Sequence, residues 1–408
     1  LHLSLRRQRQ MCIRDSSRLD HGDVQVNGTP RRLVVRVDGL ADRQPDLDEE
    51  RKGPPVAQAF KDGVPGPAAI GFAKRCGVDP SQLEVRETPK GDCVFASVRT
   101  AGQDSVDLLQ DLIPSWINGL QGRRFMRWGT GSQRFSRPIR WLLALKGKDL
   151  IPVELPGADP PVCSDRFSRG HRLHGDQPVP IDSAEDYSNA LTSAGVIVER
   201  KERAELIRSQ LKASADQLNG APDCPESLFE ELVDLVESPR LLQGAIADRF
   251  LALPPEVIIT VMQAHQRYVP LKVPEVTPDP LQLAATGVLQ REFLLVGNGL
   301  EQADALITRG NERVLAARLA DAEFFLAVDR RQPSSSRRDA LERVTFAEGL
   351  GSLLDRCRRI ERIANQLVNQ LSLDPSQGEA AIRAAHFCKH DLVSQMVGEF
   401  PELQGLMG

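Results

Sequence analysis

The hydrophobic period of this chain changes along its length, and that change limits the folds open to it. Up to about residue 183 the apolar residues come in short blocks beside turn signals: Leu33–Val37 after Asn27-Gly28, then Val94–Val98 and Trp141–Leu145. Blocks of that length read as strands. Among them, Ala68–Cys76 follows Pro67 and is ended by Gly77, and Val106–Leu120 has helical spacing interrupted by Pro114. Residues 40–55 are charged, contain proline and read as a loop. Beyond residue 183 a helical period dominates in Ala204–Leu218, Ser227–Val236 and Pro254–Tyr268, with one strand-like block at Glu292–Val296. The clearest helix is Asn311–Val328, where Leu315, Leu319, Ala322 and Leu326 recur every three or four residues and Asn311 is placed as N-cap. Two further stripes follow, Leu353/Ile360/Ile363/Leu367 and Ala381–Phe400. Short strands and helices without a regular strand–helix–strand repeat predict a multidomain α+β chain.

At 408 residues the chain is too long for one ordinary core. The LPGADPPV stretch (155–162) reads as a linker and SSSRRD (334–339) as a second break. The expected division is a non-native leader at 1–17, an α+β region at 18–155, a second, helix-rich α+β region at 156–328, and a truncated helical region at 329–408. The seven cysteines are scattered, odd in number and without a CxxC pair, which predicts reduced thiols in a cytoplasm and no zinc site. No apolar run approaches the roughly 18 residues that a membrane-spanning helix needs.

Net charge is −4, which argues against a protein that coats nucleic acid along its whole surface. One stretch reverses that sign. Residues 123–140, RRFMRWGTGSQRFSRPIR, hold six arginines and no acid, with Phe125, Trp128 and Phe135 interleaved. Guanidinium forks bind phosphates bidentately and aromatic rings stack on unpaired bases. The rival reading is a basic solvated face whose aromatics are core. A second basic cluster is RFSRGHR, with Arg169, His171 and Arg172. His265-Gln266-Arg267-Tyr268 offers donors and a ring near a helix end, where positive charge is favourable without any ligand. Arg313 and Arg318 are left unexplained by helix capping.

No P-loop is present, and Gly129-Thr130-Gly131, without its third glycine, reads as a turn. His390-Asp391 is the dipeptide that metal-dependent HD phosphohydrolases use, with His386 four residues earlier. It lacks the remaining ligands and reads as a structural or solvent-facing pair; a phosphohydrolase is kept as the rival from another class.

The ordered strings NGTPRRLVV (27–35), KGPPVAQAF (52–60), FMRWG (125–129), RFSRPIRWLLAL (134–145), SRGHR (168–172), VMQAHQRYVPL (261–271), GNERVLAARLADAEFF (310–325) and CKHDLVSQMVGEFPELQGLMG (388–408) resemble the beta subunit of bacterial glycyl-tRNA synthetase. That family chain is longer, so the resemblance implies an N-terminal fragment without the anticodon-binding region. It implies a tetramer of two alpha and two beta chains in the cytoplasm. ATP, with Mg, and glycine are used at the alpha subunit, and no cofactor, metal or catalytic residue belongs to this chain. It also implies a region similar to the B3/B4 domain of phenylalanyl-tRNA synthetase, followed by an HD-like helical domain without its metal. The beta chain binds tRNA(Gly). The expected contacts here are Arg123, Arg124, Arg127, Trp128, Arg134, Arg137 and Arg140, then Arg169, His171 and Arg172, and then His265, Gln266 and Arg313. A rival role for the arginines is to hold the alpha chain.

Overall fold

The computed structural model describes residues 18–407 apart from 62, 90, 123, 175–176 and 277–282. The expected leader at 1–17 and Arg123 therefore lie outside the described residues. The chain is mixed α and β and divides into two compact units, residues 1–172 with 176–194, and residues 173–175 with 195–408. The second unit takes up the chain from 195 onward.

In the first unit, β1 (Val24–Thr29) and β2 (Arg32–Val37) form a hairpin with Thr29 opposite Arg32. Its turn is at Pro30-Arg31, while Asn27-Gly28 lies inside β1. A three-stranded antiparallel sheet has β5 (Cys93–Thr100) between β3 (Leu47–Pro55) and β4 (Glu84–Arg86). The charged stretch expected to be a loop thus contains a strand. Its backbone finds a full ladder on β5, while Asp48–Lys52 keep their charged side chains in solvent. Helix α1 (Pro67–Cys76) lays Ala69, Phe72 and Cys76 against Val94 and Ala96 of β5. Gly77 ends it in the left-handed region (φ 69°), where its N–H reaches the free carbonyls of Ala73 and Lys74. Helix α2 (Ser105–Asn118) starts at Asp104, whose carboxylate accepts the Val106 N–H at 2.9 Å, and runs through Pro114 without dividing. After it, β6 (Met126–Arg127) and β7 (Arg134–Phe135) pair as a very short hairpin.

Two expectations fail in this unit for the same reason. Trp141–Leu145 is not a continuous strand. Leu142 makes one parallel bridge to Ser164, and only Leu145-Lys146 pairs, with Asp149-Leu150. The 155–162 stretch is not a linker. Leu155 and Val162 are buried, and the Leu155 N–H donates to the Val162 carbonyl at 3.0 Å. Both segments satisfy their backbone through loop contacts that leave no periodic signal.

The second unit is built on an antiparallel sheet ordered β8 (Ala221–Pro222), β10 (Val269–Lys272), β11 (Leu289–Gly297), β9 (Arg240–Ala245). Strand β11 is buried on both faces. Phe293 and Leu295 enter one cluster, and Leu294 and Val296 the other. The second face is covered by α3 (Arg200–Leu218) and α4 (Glu226–Leu235). Between them lies Arg203, fully buried, donating from Nε to Val233 O (3.1 Å) and from Nη1 to Ile197 O and Val198 O (both 2.8 Å). The first face is covered by α5 (Asp304–Asp329), through the predicted stripe Leu315, Leu319, Ala322 and Leu326.

Helix α5 begins seven residues before Asn311, so that residue is not its N-cap. Its amide accepts the Tyr268 hydroxyl at 2.6 Å and donates to Ile307 O at 2.7 Å. Past α5 come a short helix over Ser334–Ala340, where the sequence reads as a break, then a small hairpin (Thr345–Ala347 with Gly351–Ser352), α6 (Leu353–Gln370) and α7 (Pro375–Phe387). The region after 329 is therefore not wholly helical. The expected stripe on α6 is split, with Leu353 buried and Ile363 and Leu367 exposed. The stripe expected over Ala381–Phe400 is broken at Lys389, which takes a left-handed conformation (φ 68°).

Beyond 329, Leu341, Leu353, Leu354 and Cys357 form a small cluster of their own, while the last described residues join the core under the sheet. Met396, Phe400 and Leu403 belong to the same core as Phe293 and Leu319. The short helix Gln395–Glu399 that leads this segment is fastened by buried Asp329, whose carboxylate oxygens accept the Gln395 and Met396 N–H groups, each at 2.9 Å. Asp329→Ala leaves two amides without acceptors. It is expected to lower unfolding free energy by about 2–4 kcal/mol, read as a fall in the denaturant midpoint. A loss under about 0.5 kcal/mol would show that the fastening is dispensable.

Candidate nucleic-acid interface

The arginine-rich stretch is the β6–β7 hairpin, in which Met126 faces Phe135 and Arg127 faces Arg134. Two-residue strands do not hold themselves together in water. What fixes this hairpin is its loop. Ser132 and Gln133 donate their N–H groups to Gly157 O at 2.8 and 3.0 Å. Thr130 donates its N–H to the Asp159 carboxylate at 3.2 Å and its hydroxyl to the same oxygen. The backbones approach so closely that a Cβ at Gly129 would stand 2.2 Å from Asp159 O, and one at Gly131 2.3 Å from Gly157 O. Gly129 also has φ +59°. The glycines serve a close contact between two backbone segments, as the turn reading expects. Beneath the hairpin Gln133 is buried and donates to Asn118 Oδ1 at 2.9 Å, and the Phe125 and Phe135 rings pack at 5.5 Å. Phe125, Gln133 and Arg134 also line an open cleft of about 600 Å³.

Arg124, Arg127, Arg134, Arg137 and Arg140 are all exposed, and among the described residues no acid or carbonyl accepts from their side chains. Trp128 is half-buried. Like charges placed directly opposite each other across a strand pair destabilise it, and Arg127 and Arg134 are so placed.

The second cluster behaves differently. His171 is buried, at 1% exposure, and does not present itself at the surface. Arg172 is exposed and Arg169 half-buried. The Arg169 and Gly170 carbonyls are held by Arg32 (2.8 Å) and Arg31 (3.1 Å), whose guanidinium groups also lie 6.0 and 5.8 Å from the Trp141 ring. Those two arginines are structural clamps that sequence reasoning does not single out; the available signal is the paired Arg-Arg in the turn of a hairpin.

In the second unit, His265 sits on a π-helical segment (Val261–Gln266), edge-on to Phe400 at 5.2 Å, with Nε2 3.5 Å from Glu402 Oε2. Gln266 is half-buried. Arg267, in the left-handed region (φ 60°), pairs with Glu231 at 2.8 Å. Burial pushes the Tyr268 hydroxyl up to about 12, so it stays a hydrogen-bond donor to Asn311. Glu312 accepts the Ala245 N–H at 2.9 Å. These strings mostly hold the core together. Arg313 is exposed and without a partner among the described residues, and Arg318 lies 3.5 Å from Glu399.

His390 and Asp391 are both buried. The His390 Nδ1 is 2.6 Å from Phe387 O, and the Asp391 carboxylate accepts the Gly405 N–H at 2.6 Å. His386 turns to Glu361 at 3.1 Å. Both side chains are thus used in contacts within the fold, and among the described residues no three His, Cys, Asp or Glu side chains are grouped to hold a metal ion.

The hairpin is thus an acid-free arginine strip on a chain whose net charge is −4. The family is specific: a sequence model of the glycyl-tRNA synthetase beta subunit matches residues 5–408, and the chain belongs to that family. The match begins inside the stretch read as a leader. The chain is 44% identical over 385 residues to the glycine–tRNA ligase beta subunit of Acaryochloris marina, covering 94% of this chain and 53% of the relative. It is 44% identical over 385 residues to that of Synechocystis sp., covering 94% and 52%. Against that of Moorella thermoacetica it is 42% identical over 392 residues, covering 96% and 54%. The chain thus spans about half the length of the curated relatives it matches.

Two outcomes check the seating of the hairpin. Gly131→Ala is expected to speed amide exchange at Ser132 and Gln133 by about tenfold or more, about 1.4 kcal/mol of local opening, with the rest of the unit unchanged. Unchanged exchange there would show that the loop is held by something else. The Thr130 hydroxyl, then its N–H, holds the Asp159 carboxyl below its ordinary 3.8. A depressed carboxylate contributes its contact above the ordinary value and loses it as pH falls through the lower one. Thr130 amide protection is therefore expected to persist from neutral pH to about 4 and to disappear below; disappearance between about pH 8 and 5 contradicts the assignment.

Proposed function

We propose that this chain is the tRNA-handling part of an ATP-dependent glycine–tRNA ligase, and that the arginine hairpin grips tRNA(Gly) by its phosphates. The observation that carries this is Arg127 opposite Arg134 with no counter-ion among the described residues. Each guanidinium presents a rigid fork of N–H donors that matches a phosphate. Arg124, Arg137 and Arg140 extend the strip, Arg123 continues it in sequence, and Trp128 offers a ring for an unstacked base. Arg169, Arg172, Gln266 and Arg313 are secondary contacts in this reading. Buried His171 is left out, and His265 is committed to Phe400 and Glu402.

The partner is the alpha subunit, in a cytoplasmic assembly of two alpha and two beta chains. ATP with Mg and glycine react there, and this chain helps to orient the acceptor end of the tRNA. A B3/B4-like region and an HD-like helical region complete the reading. No helix among the described residues is long and apolar enough to cross a membrane.

The test uses full-length beta chain assembled with the alpha chain. Arg127→Glu with Arg134→Glu is expected to weaken tRNA binding at least tenfold. It should also make the slope of log affinity against log salt shallower by roughly 0.7–0.9 for each phosphate no longer engaged. Glycine-dependent ATP–pyrophosphate exchange should be unaltered. If tRNA affinity is unchanged while alpha–beta association fails, the hairpin is a subunit contact and the proposal falls.

A further inference from the structure

We propose that Cys357 and Cys388 form an oxidisable dithiol, a modification site at which a low-molecular-weight disulfide such as oxidised glutathione is reduced while an internal disulfide forms. The two sulfurs lie 3.8 Å apart, although they come from different elements, Cys357 on α6 and Cys388 directly after α7. A disulfide bond is about 2.05 Å long, which leaves less than about 2 Å to close. The Cys357 thiol is already aimed at that region, since it donates to Cys388 O at 3.4 Å.

The two thiols are unequal, and this sets the order of events. Cys357 is fully buried, whereas Cys388 is half-buried. Burial pushes the Cys357 thiol up to about 11, so it is a poor first nucleophile. The Cys388 thiolate attacks one sulfur of the small disulfide. That S–S bond breaks and one small thiolate leaves. Cys357 then gives its proton to solvent and attacks Cys388 Sγ, releasing the second small thiolate. In sum, two protein thiols lose two hydrogens with two electrons, and one disulfide becomes two thiols.

The bond would staple α6 to the joint that follows α7. That joint turns on left-handed Lys389 and leads into buried His390 and Asp391. Exposed Cys163 is the internal control, because it lies in the first unit while the dithiol belongs to the second.

The experiment treats the native full chain with oxidised glutathione, blocks free thiols, digests without reduction and maps the peptides by mass. The expected result is a Cys357–Cys388 crosslink two hydrogens lighter than the paired thiols, glutathione on Cys163, and full reversal by a dithiol reductant. In Cys357→Ser, Cys388 should instead retain one glutathione. The idea is overturned if, once Cys163 has reacted, Cys388 of the unmutated chain is still free or keeps its glutathione. A link from Cys388 to any other cysteine overturns it as well. The unmutated chain decides the matter even where the serine variant fails to fold.

Discussion

The two larger cores of the second unit are arranged around one strand that is buried on both sides. From Phe293 to Val296 successive residues point alternately to two cores, so helices cover both faces of the sheet there, while Arg291 stays exposed. Phe293 sets the spacing on one side. Its ring stacks on Tyr268 at 5.0 Å and lies over Gly244, where a Cβ would come within 2.5 Å. Glycine in a strand interior is normally a weakness; here it makes room for the largest side chain of the central strand. Phe400 joins the same core from more than a hundred residues further on. That is why the 395–407 segment is inseparable from the sheet, despite the polar break before it.

The first unit has no such strand, and its candidate site shows what takes its place. The arginine hairpin has only two residue pairs of ladder, with the Phe125 and Phe135 rings packed together beside it. Glycines at 129 and 131 let its loop press against the 157–159 backbone, and that contact fixes where Arg127 and Arg134 stand. The hairpin is thus held in place without using its charges. A phosphate arriving there need not displace an existing ion pair, and the backbone that carries the side chains is held by the loop contacts.

Periodic elements were legible in the sequence, and contacts between loops were not. The stripe Leu315/Leu319/Ala322/Leu326 is buried as its spacing requires, and Gly77 caps its helix in the expected conformation. The 155–162 stretch resembles a linker because proline and glycine look alike in a linker and in a tightly docked loop; only the Gly157 carbonyl accepting two N–H groups tells them apart. Asp48–Lys52 resembles a loop because a strand whose partner supplies the whole ladder can carry charges along its length. Asn311 has the composition of an N-cap, but its amide is used by Tyr268, which is far away in sequence. In the candidate site the arginines could be read from composition, whereas their lack of partners could not.

Arginine content alone therefore says little about where this chain meets an anion. Arg203 is wholly buried and spends its donors on the Ile197, Val198 and Val233 carbonyls. Arg200 is held by Glu230 and by Asp234, the latter at 2.7 Å. Arg31 and Arg32 clamp the backbone at 169–170. Each of these guanidinium groups is occupied, and each would look equally suitable for phosphate in a sequence. A guanidinium has five N–H donors and no acceptor, so the discriminating observation is whether anything nearby accepts them. On the 124–140 strip no described residue does. That unmet donor capacity is what separates the strip physically from the occupied arginines elsewhere in the chain, and it is the ground on which the proposed phosphate contact rests.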